Sequence, residues 1–211
     1  CLLHEKPFAG VNGSGKHNNW SCVTNTNVNL FKPGADPMHN LAFLATLACV
    51  IKGVDDYADL LRLSIATPGN DHRLGGNEAP PAAISMFLGD ALNEVIDALI
   101  EGKELNEIKK ARFQTGVSVI PDFQKDNTDR NRTSPFAFTG NKFEFRGVGS
   151  SQSIAVANTM LNSMLAATMK EMSNLIKEGK APLDVIKMFL NNHKRVIFEG
   201  DGYSKTWEKE I

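Results

Sequence analysis

A long amphipathic segment from Ile154 to Lys177 constrains the fold of this chain more than any other feature of its sequence. Its apolar residues recur at helical spacing and Gly179 follows as a stop signal, so the segment predicts a long helix with one buried face. Four further helices are predicted by the same period and by residues typical of helix ends: Pro37 to Gly53, a short helix capped by Asp55, Ala82 to Glu101, and Leu183 to Phe198. The predicted strands are residues 117–120 and 141–146. This mixture predicts an α+β fold.

The second predicted strand has charged and aromatic residues in alternation. Lys142, Glu144 and Arg146 would share one face, and Phe143 and Phe145 the other. One interpretation is a sheet with one solvated face. The other is that the charged face lines a cleft, where Glu144 offers an oxygen ligand to a metal and the two cations face phosphate or carboxylate.

The composition excludes two classes of function. The 211 residues carry a formal charge of −1, and scattered basic residues give no electrostatic footprint for nucleic acid. The longest apolar run, Leu41 to Ile51, is too short to cross a bilayer, so no membrane association is expected. The cysteines, Cys1, Cys22 and Cys49, are odd in number and lack metal-type spacing, which predicts reduced thiols and a cytoplasmic protein.

The segment 5–21 combines a glycine-rich backbone with a possible metal ligand. Its glycines allow backbone N–H groups to approach a phosphate or carboxylate, and His17 follows with a nitrogen suited to a divalent ion. Residues 10–16 fit the G-x-x-x-x-G-K core of a P-loop. However, His17 stands where a P-loop needs Ser or Thr, and the polar residues 4–7 stand where it needs an apolar strand. A tight turn between strands is the simpler alternative.

Two other segments carry charged residues with possible roles. The Gly- and Pro-rich residues 68–81 predict a loop bearing Arg73 and Glu78, in which the rigid fork of Arg73 could clamp an acidic substrate. This loop could close over a cleft as a flap, or be a solvated surface loop with a local ion pair. Arg130 and Arg132 add positive charge that could neutralise a transferring phosphoryl group.

Three segments in this order resemble glutamine synthetase of the long type III form: residues 5–21, residues 70–81, and the stretch from Asn131 to Arg146. The resemblance covers nearly the whole chain. It implies a glutamine synthetase-type catalytic domain with a curved antiparallel sheet flanked by helices, of which residues 1–211 would form the helix-rich, C-terminal portion. The implied activity is ATP-dependent amidation of L-glutamate, in which the γ-carboxylate takes a phosphoryl group and ammonia displaces it.

The resemblance also implies roles for individual residues. The metal ligands, for Mg²⁺ or Mn²⁺, would be His17 and Glu144. The catalytic residues would be Glu78, on a flap that shields the intermediate and helps to deprotonate ammonium, and Arg132, near the phosphates. Residues holding the substrate amino acid would be Asn12, Gly13, Arg73 and Arg146. Residues contacting ATP would be Asn19, Ser21, Arg132 and Lys142.

The family pattern implies a homo-oligomer of stacked rings, a dodecamer with sites between subunits. Asn19 and Lys142 differ from the shorter bacterial forms, which carry His and Arg there, and we interpret both as subtype marks. The chain starts with Cys1, and the remaining metal-binding carboxylates are expected before it, so the isolated chain is predicted to be inactive. Two alternatives stay open: a γ-glutamyl–amine ligase of the same fold, and a structural homologue that has lost catalysis.

Overall fold

The computed structural model of the chain describes residues 3–76, 79–103, 133–202 and 204–205. These residues form an α+β structure, as predicted, and share one hydrophobic core. The strands are β1 (Gly15–Trp20), β2 (Met86–Phe87), β3 (Phe136–Phe138) and β4 (Phe143–Gly149). The helices are α1 (Leu41–Asp56), α2 (Ala58–Leu63), α3 (Pro68–Arg73), α4 (Asp90–Glu101), α5 (Ile154–Lys177) and α6 (Pro182–His193). The strand predicted at 117–120 lies outside the described residues.

The four strands form one mixed sheet in the order β1-β4-β3-β2. β4 pairs antiparallel with β1 on one side and with β3 on the other. In contrast, β2 and β3 run parallel, with Met86 opposite Phe136. The predicted antiparallel sheet is therefore wrong for this pair. A parallel pair needs a long crossover rather than a hairpin, and the chain between β2 and β3, which includes α4, provides it.

An aromatic cluster forms the core beneath the sheet. Phe136, Phe143 and Phe145 are fully buried, and the rings of Phe136 and Phe143 stack with their centroids 4.8 Å apart. Trp20 of β1 joins the cluster through Phe31, at 5.0 Å between ring centroids. Because the two phenylalanines of β4 are fixed in the core, the residue between them must face away from it.

Helix α1 is mostly buried and packs against α5 and α6. Gly53, which was predicted to end this helix, lies inside it. A Cβ at Gly53 would come within 3.3 Å of Met164 Cγ, so the glycine allows α1 and α5 to approach closely. Since α1 continues to Asp56, the prediction that Asp55 caps the next helix is wrong.

Helix α4 begins at Asp90, not at Ala82 as predicted. The apolar residues before it belong partly to β2, and Gly89 has a φ of +85°, a conformation that interrupts a helix. The carboxylate of Glu199 accepts hydrogen bonds from the N–H groups of Leu88 and Gly89, both at 3.1 Å. Glu199 thereby satisfies two backbone donors just before the first turn of α4.

The last two helices agree better with the sequence. α5 has the predicted bounds and is followed by Gly179 with a φ of +99°. α6 ends at His193 rather than at Phe198, because a 3-10 turn at Lys194–Val196 redirects the chain towards β2. None of the described helices is long and apolar enough to cross a membrane.

Candidate active site

β1 and β4 bring His17 and Glu144 to the same side of the sheet. Asn19 pairs directly with Glu144, and His17 lies two residues before Asn19 on the same face of β1. Nδ1 of His17 is 3.9 Å from Oε2 of Glu144. The His17 side chain is 58% exposed and that of Glu144 20%, so the pair opens to solvent.

The geometry of this pair suits a divalent ion. Metal bonds of about 2.0–2.2 Å place two ligand atoms of one ion at most about 4.4 Å apart, so both side chains can bind the same ion. An imidazole and a carboxylate are also common ligands of such ions. Within the described residues, no third His, Cys, Asp or Glu completes the set. The predicted pair of ligands therefore fits part of a metal site.

A β-bulge lies next to this pair. The paired residues on either side of the bulge are Lys16 with Val148 and Asn18 with Phe145. Between them, His17 alone faces two residues of β4, Arg146 and Gly147. Phe145 and Val148, which flank the two bulged residues, both face the core, where each is fully buried.

Helix α3 donates hydrogen bonds to the carbonyl groups of the bulged segment. Asn70 Nδ2 donates to Gly147 O at 2.7 Å. Arg73 donates from Nη2 to Arg146 O at 3.2 Å and from Nη1 to Val148 O at 3.4 Å. The Oδ1 of Asn70 accepts from Arg73 Nη1 at 2.8 Å, so the two side chains support each other. Asn70 was missed by the sequence analysis, because nothing in its local pattern indicates a partner on a distant strand.

Arg73 thus lies in a helix and not in the predicted loop. Thr67 caps α3 by accepting from the Asn70 N–H at 3.3 Å, and Pro68 takes the first helical position. Only 6% of Arg73 is exposed, so the solvated-loop interpretation is wrong at this position.

Two glycines of the segment 5–21 make room for Arg73. An ideal Cβ at Gly13 would lie 2.6 Å from Arg73 Cγ, and one at Gly15 would overlap the guanidinium group. These glycines therefore allow close approach of an arginine from inside the protein. The resemblance implies that Gly13 and Arg73 both hold the substrate amino acid. In the structure the two residues are in contact.

Arg146 is also buried, with 2% of its surface exposed. Its Nη2 donates to Ser134 O at 2.7 Å, and its N–H donates to Pro135 O at 2.8 Å. The solvated-face interpretation is therefore wrong for Arg146, whereas the 20% exposure of the Glu144 side chain fits both interpretations. Both predicted substrate-binding arginines donate hydrogen bonds to main-chain carbonyl groups.

Three of the four predicted ATP-contacting residues, Asn19, Ser21 and Lys142, lie at the same end of the β1–β4 pair. Asn19 is exposed opposite Glu144, and its Nδ2 donates to His17 O at 3.3 Å. Ser21 follows β1 and is exposed, and the half-buried Lys142 directly precedes β4. Glu78 and Arg132, the predicted catalytic residues, lie outside the described residues.

The P-loop interpretation is wrong. The glycine-rich segment leads into a strand, whereas a P-loop leads into a helix. Lys16 has its side chain on the opposite face of β1 from His17, and its Nζ donates to Gln152 O. Its charge is therefore directed away from the candidate metal ligands.

Two hydrogen bonds dock β1 onto α5. Asn18 Nδ2 donates to Asn158 Oδ1 at 2.8 Å, and Trp20 Nε1 donates to Asn162 Oδ1 at 2.9 Å. The two acceptors are four residues apart and so lie on one face of the helix. They fix the strand that carries His17.

A second cluster of possible metal ligands is an ion-pair network. Ligand atoms of Asp55, Asp56 and His193 lie within 4.8 Å of one another. Their charges are matched by protein donors, because His193 Nδ1 is 2.8 Å from Asp55 Oδ2, Arg195 Nε donates to Asp55 Oδ1 at 2.9 Å, and Lys52 Nζ donates to Asp56 at 2.7 Å. This network ties α1 to the end of α6.

Comparison with known proteins agrees with the resemblance. The chain is 50% identical to a type-3 glutamine synthetase from Dictyostelium discoideum over 99% of its own length. It is 51% identical to a glutamine synthetase from Butyrivibrio fibrisolvens over 100% of its length, and 46% identical to one from Bacteroides fragilis over 99%. A family model for the glutamine synthetase C-terminal domain matches residues 181–211. The chain belongs to the glutamine synthetase family.

The similarity to a type-3 glutamine synthetase extends over all the segments on which the resemblance was based. The chain spans 29% to 31% of the length of these curated relatives. It therefore corresponds to one part of a glutamine synthetase polypeptide.

Proposed function

We propose that this chain is part of an ATP-dependent glutamate–ammonia ligase and forms the C-terminal portion of its catalytic domain. The observation that supports this best is the 3.9 Å approach of His17 to Glu144, close to the two buried arginines. In the proposed reaction, the γ-carboxylate of L-glutamate attacks the γ-phosphorus of ATP, and ADP leaves. Ammonia then attacks the resulting γ-glutamyl phosphate, and inorganic phosphate leaves as L-glutamine forms.

In this proposal, His17 and Glu144 hold Mg²⁺ or Mn²⁺. A bound divalent ion supplies positive charge that draws the carboxylate and the triphosphate together. Two ligands do not complete a coordination sphere, and in this proposal the remaining carboxylates come from outside residues 1–211. For this reason we propose that residues 1–211 alone are inactive.

The proposed role of Arg73 and Arg146 is to hold the substrate amino acid together with Asn12 and Gly13. Guanidinium groups fixed by main-chain carbonyls are already oriented before substrate binds, which lowers the cost of placing the γ-carboxylate. Asn19, Ser21 and Lys142 contact ATP in this proposal.

Glu78 and Arg132 act on the reaction itself in this proposal. Glu78 shields the acyl phosphate from water and takes a proton from ammonium. Arg132 neutralises charge on the transferring phosphoryl group. We further propose that the whole protein is a cytoplasmic homo-oligomer, a dodecamer of stacked rings.

The test uses the full-length protein that contains this chain, with Mg²⁺, ATP, L-glutamate and ammonia. We expect equal amounts of glutamine and phosphate, and transfer of one ¹⁸O atom from labelled γ-carboxylate to phosphate. The isolated chain should form neither product.

The same assay separates the alternatives. Product formation with polyamines or other amines but not with ammonia would identify a γ-glutamyl–amine ligase. ATP binding without phosphate release under any of these conditions would identify a homologue that has lost catalysis.

A further inference from the structure

Glu5 is a buried carboxylate to which the proposed reaction gives no role. Only 6% of its surface is exposed. Its Oε1 accepts hydrogen bonds from the Ser151 N–H at 3.0 Å and from the Ser151 hydroxyl. Burial raises the pKa of Glu5, but these hydrogen bonds outweigh it, so the pKa lies below its usual value and the side chain is ionised.

Two glycines enclose this carboxylate. An ideal Cβ at Gly149, the last residue of β4, would lie 2.6 Å from Glu5 Oε1. One at Gly69, in the first turn of α3, would lie 3.3 Å from Oε2. Glu5 therefore occupies a space that these two glycines leave open, between the end of β4 and the start of the helix that carries Arg73.

The main chain of Glu5 closes the loop formed by residues 6–13, here called the substrate loop. Its carbonyl oxygen accepts from the Ser14 N–H at 2.7 Å, where the loop returns to β1. A Cβ at Gly13 would meet this oxygen on one side and Arg73 on the other. Within the loop, Lys6 Nζ donates to Val11 O.

We propose that Glu5 is a positioning residue for the amino-acid substrate, because its anchored carboxylate holds the substrate loop, with Asn12 and Gly13, against Arg73. This inference rests on the proposed function. Glu5 acts through the loop and touches no reacting atom. Its loss should therefore weaken the binding of glutamate and leave phosphoryl transfer and ATP binding nearly unchanged.

A carboxylate suits this position better than an amide. Oε1 accepts two donors from Ser151, and the ionised form strengthens both hydrogen bonds. Glu5→Gln keeps the shape but removes the charge. Glu5→Asp keeps the charge but shortens the side chain, so it should retain part of the glutamate affinity that Glu5→Gln loses.

The experiment measures steady-state kinetics of the full-length enzyme with glutamate and ATP varied separately. Glu5→Gln should raise the KM for glutamate about tenfold, as expected for loss of charge-assisted hydrogen bonds, with kcat and the KM for ATP within about twofold of wild type. Ser151→Ala removes one of the two donors and should raise the same KM about threefold. Glu178→Gln, an exposed carboxylate after α5, is the matched control and should change none of them.

A fall in kcat or a rise in the KM for ATP of the same size, or no change in the KM for glutamate, would overturn the proposal. Should Glu5→Gln fail to fold, Ser151→Ala decides in the same way. If the wild-type enzyme makes no glutamine, the proposed function is wrong. Amide hydrogen exchange then tests separately whether Glu5 positions the substrate loop. Faster exchange in residues 6–14 of Glu5→Gln than in Glu178→Gln supports that role, and equal exchange overturns it.

Discussion

Nδ1 of His17 lies 3.9 Å from Oε2 of Glu144, although the two residues are remote in sequence. The strand pairing of Asn19 with Glu144 sets this relationship, and the burial of the aromatic residues on either side of Glu144 directs its carboxylate away from the core. Since neither side chain contributes to the core, their chemistry can be changed without unfolding the sheet.

Removal of either candidate ligand should abolish activity without loss of stability. His17→Ala and Glu144→Gln in the full-length enzyme should each lower glutamine formation by about 10²-fold or more, because charge in the transition state loses its stabilisation. Binding of Mn²⁺, measured by electron paramagnetic resonance, should weaken in parallel. His39→Ala, at a histidine with a side chain that is 79% exposed, is the control. Normal turnover in either ligand variant would remove that residue from the site.

Gly15→Ala should displace Arg73, because the new Cβ would overlap its guanidinium group. The buried arginine and the bulged strand would have to move, and overpacking of this kind costs about 1–3 kcal/mol. We expect a lower melting temperature and a higher KM for glutamate. Gly76→Ala is the matched control, because a Cβ there meets no atom within 4 Å. A Gly15→Ala enzyme with unchanged KM would show that Arg73 does not depend on this contact.

Asn158→Ala should loosen β1 from α5. The buried Nδ2 of Asn18 would lose its acceptor, and an unsatisfied buried donor costs about 1–3 kcal/mol of unfolding free energy. Asn174→Ala, at an exposed position of the same helix, should cost no more than about 0.5 kcal/mol. Urea denaturation of the two variants measures the difference. Equal free energies of unfolding would mean that the Asn18–Asn158 hydrogen bond makes no net contribution to stability.

Cys49 should make the protein less stable at alkaline pH. Burial raises the pKa of its thiol to about 12, and the nearby charge of Glu171 acts in the same direction. In the unfolded chain the pKa is about 8.5, so the protonated thiol favours folding fully below that pH, and this contribution is lost as the pH rises towards 12.

The unfolding free energy of the wild type should therefore fall faster than that of Cys49→Ala above pH 9, by at most about 1.4 kcal/mol per pH unit. Thermal unfolding of both proteins between pH 8 and pH 10.5 measures this. Parallel pH profiles would contradict the raised pKa.

The burial of Cys49 can also be tested by thiol modification. The partly buried Cys22 should react with thiol reagents before Cys49 does.

The sequence was sufficient where the physical signal is local. The helix period and Gly179 after the last turn both act within a few residues, and the bounds of α5 were predicted correctly. It was insufficient for α4, since a short apolar run before Gly89 fits a helix and a buried strand equally well. Only the pairing of that run with β3, far along the chain, decides between them.

The candidate site shows the same division. The alternation around Glu144 correctly placed the two phenylalanines in the core. It could not show that Arg146 is buried, because the bulge and the carbonyl of Ser134 that accepts its hydrogen bond depend on tertiary pairing. Glu5 was seen only as one polar residue before a glycine-rich segment. Its partner on the turn after β4 has no counterpart in the local sequence.

The bulge in β4 serves the candidate site and not the core. A version of this strand one residue shorter would run in regular alternation and still present Phe145 and Val148 inwards, so the core does not require the additional residue. What such a shortened strand would lack is one carbonyl group for Asn70 and Arg73 to bind. A protein with this shortened β4 should therefore fold, but the guanidinium group of Arg73 should no longer be held in one position.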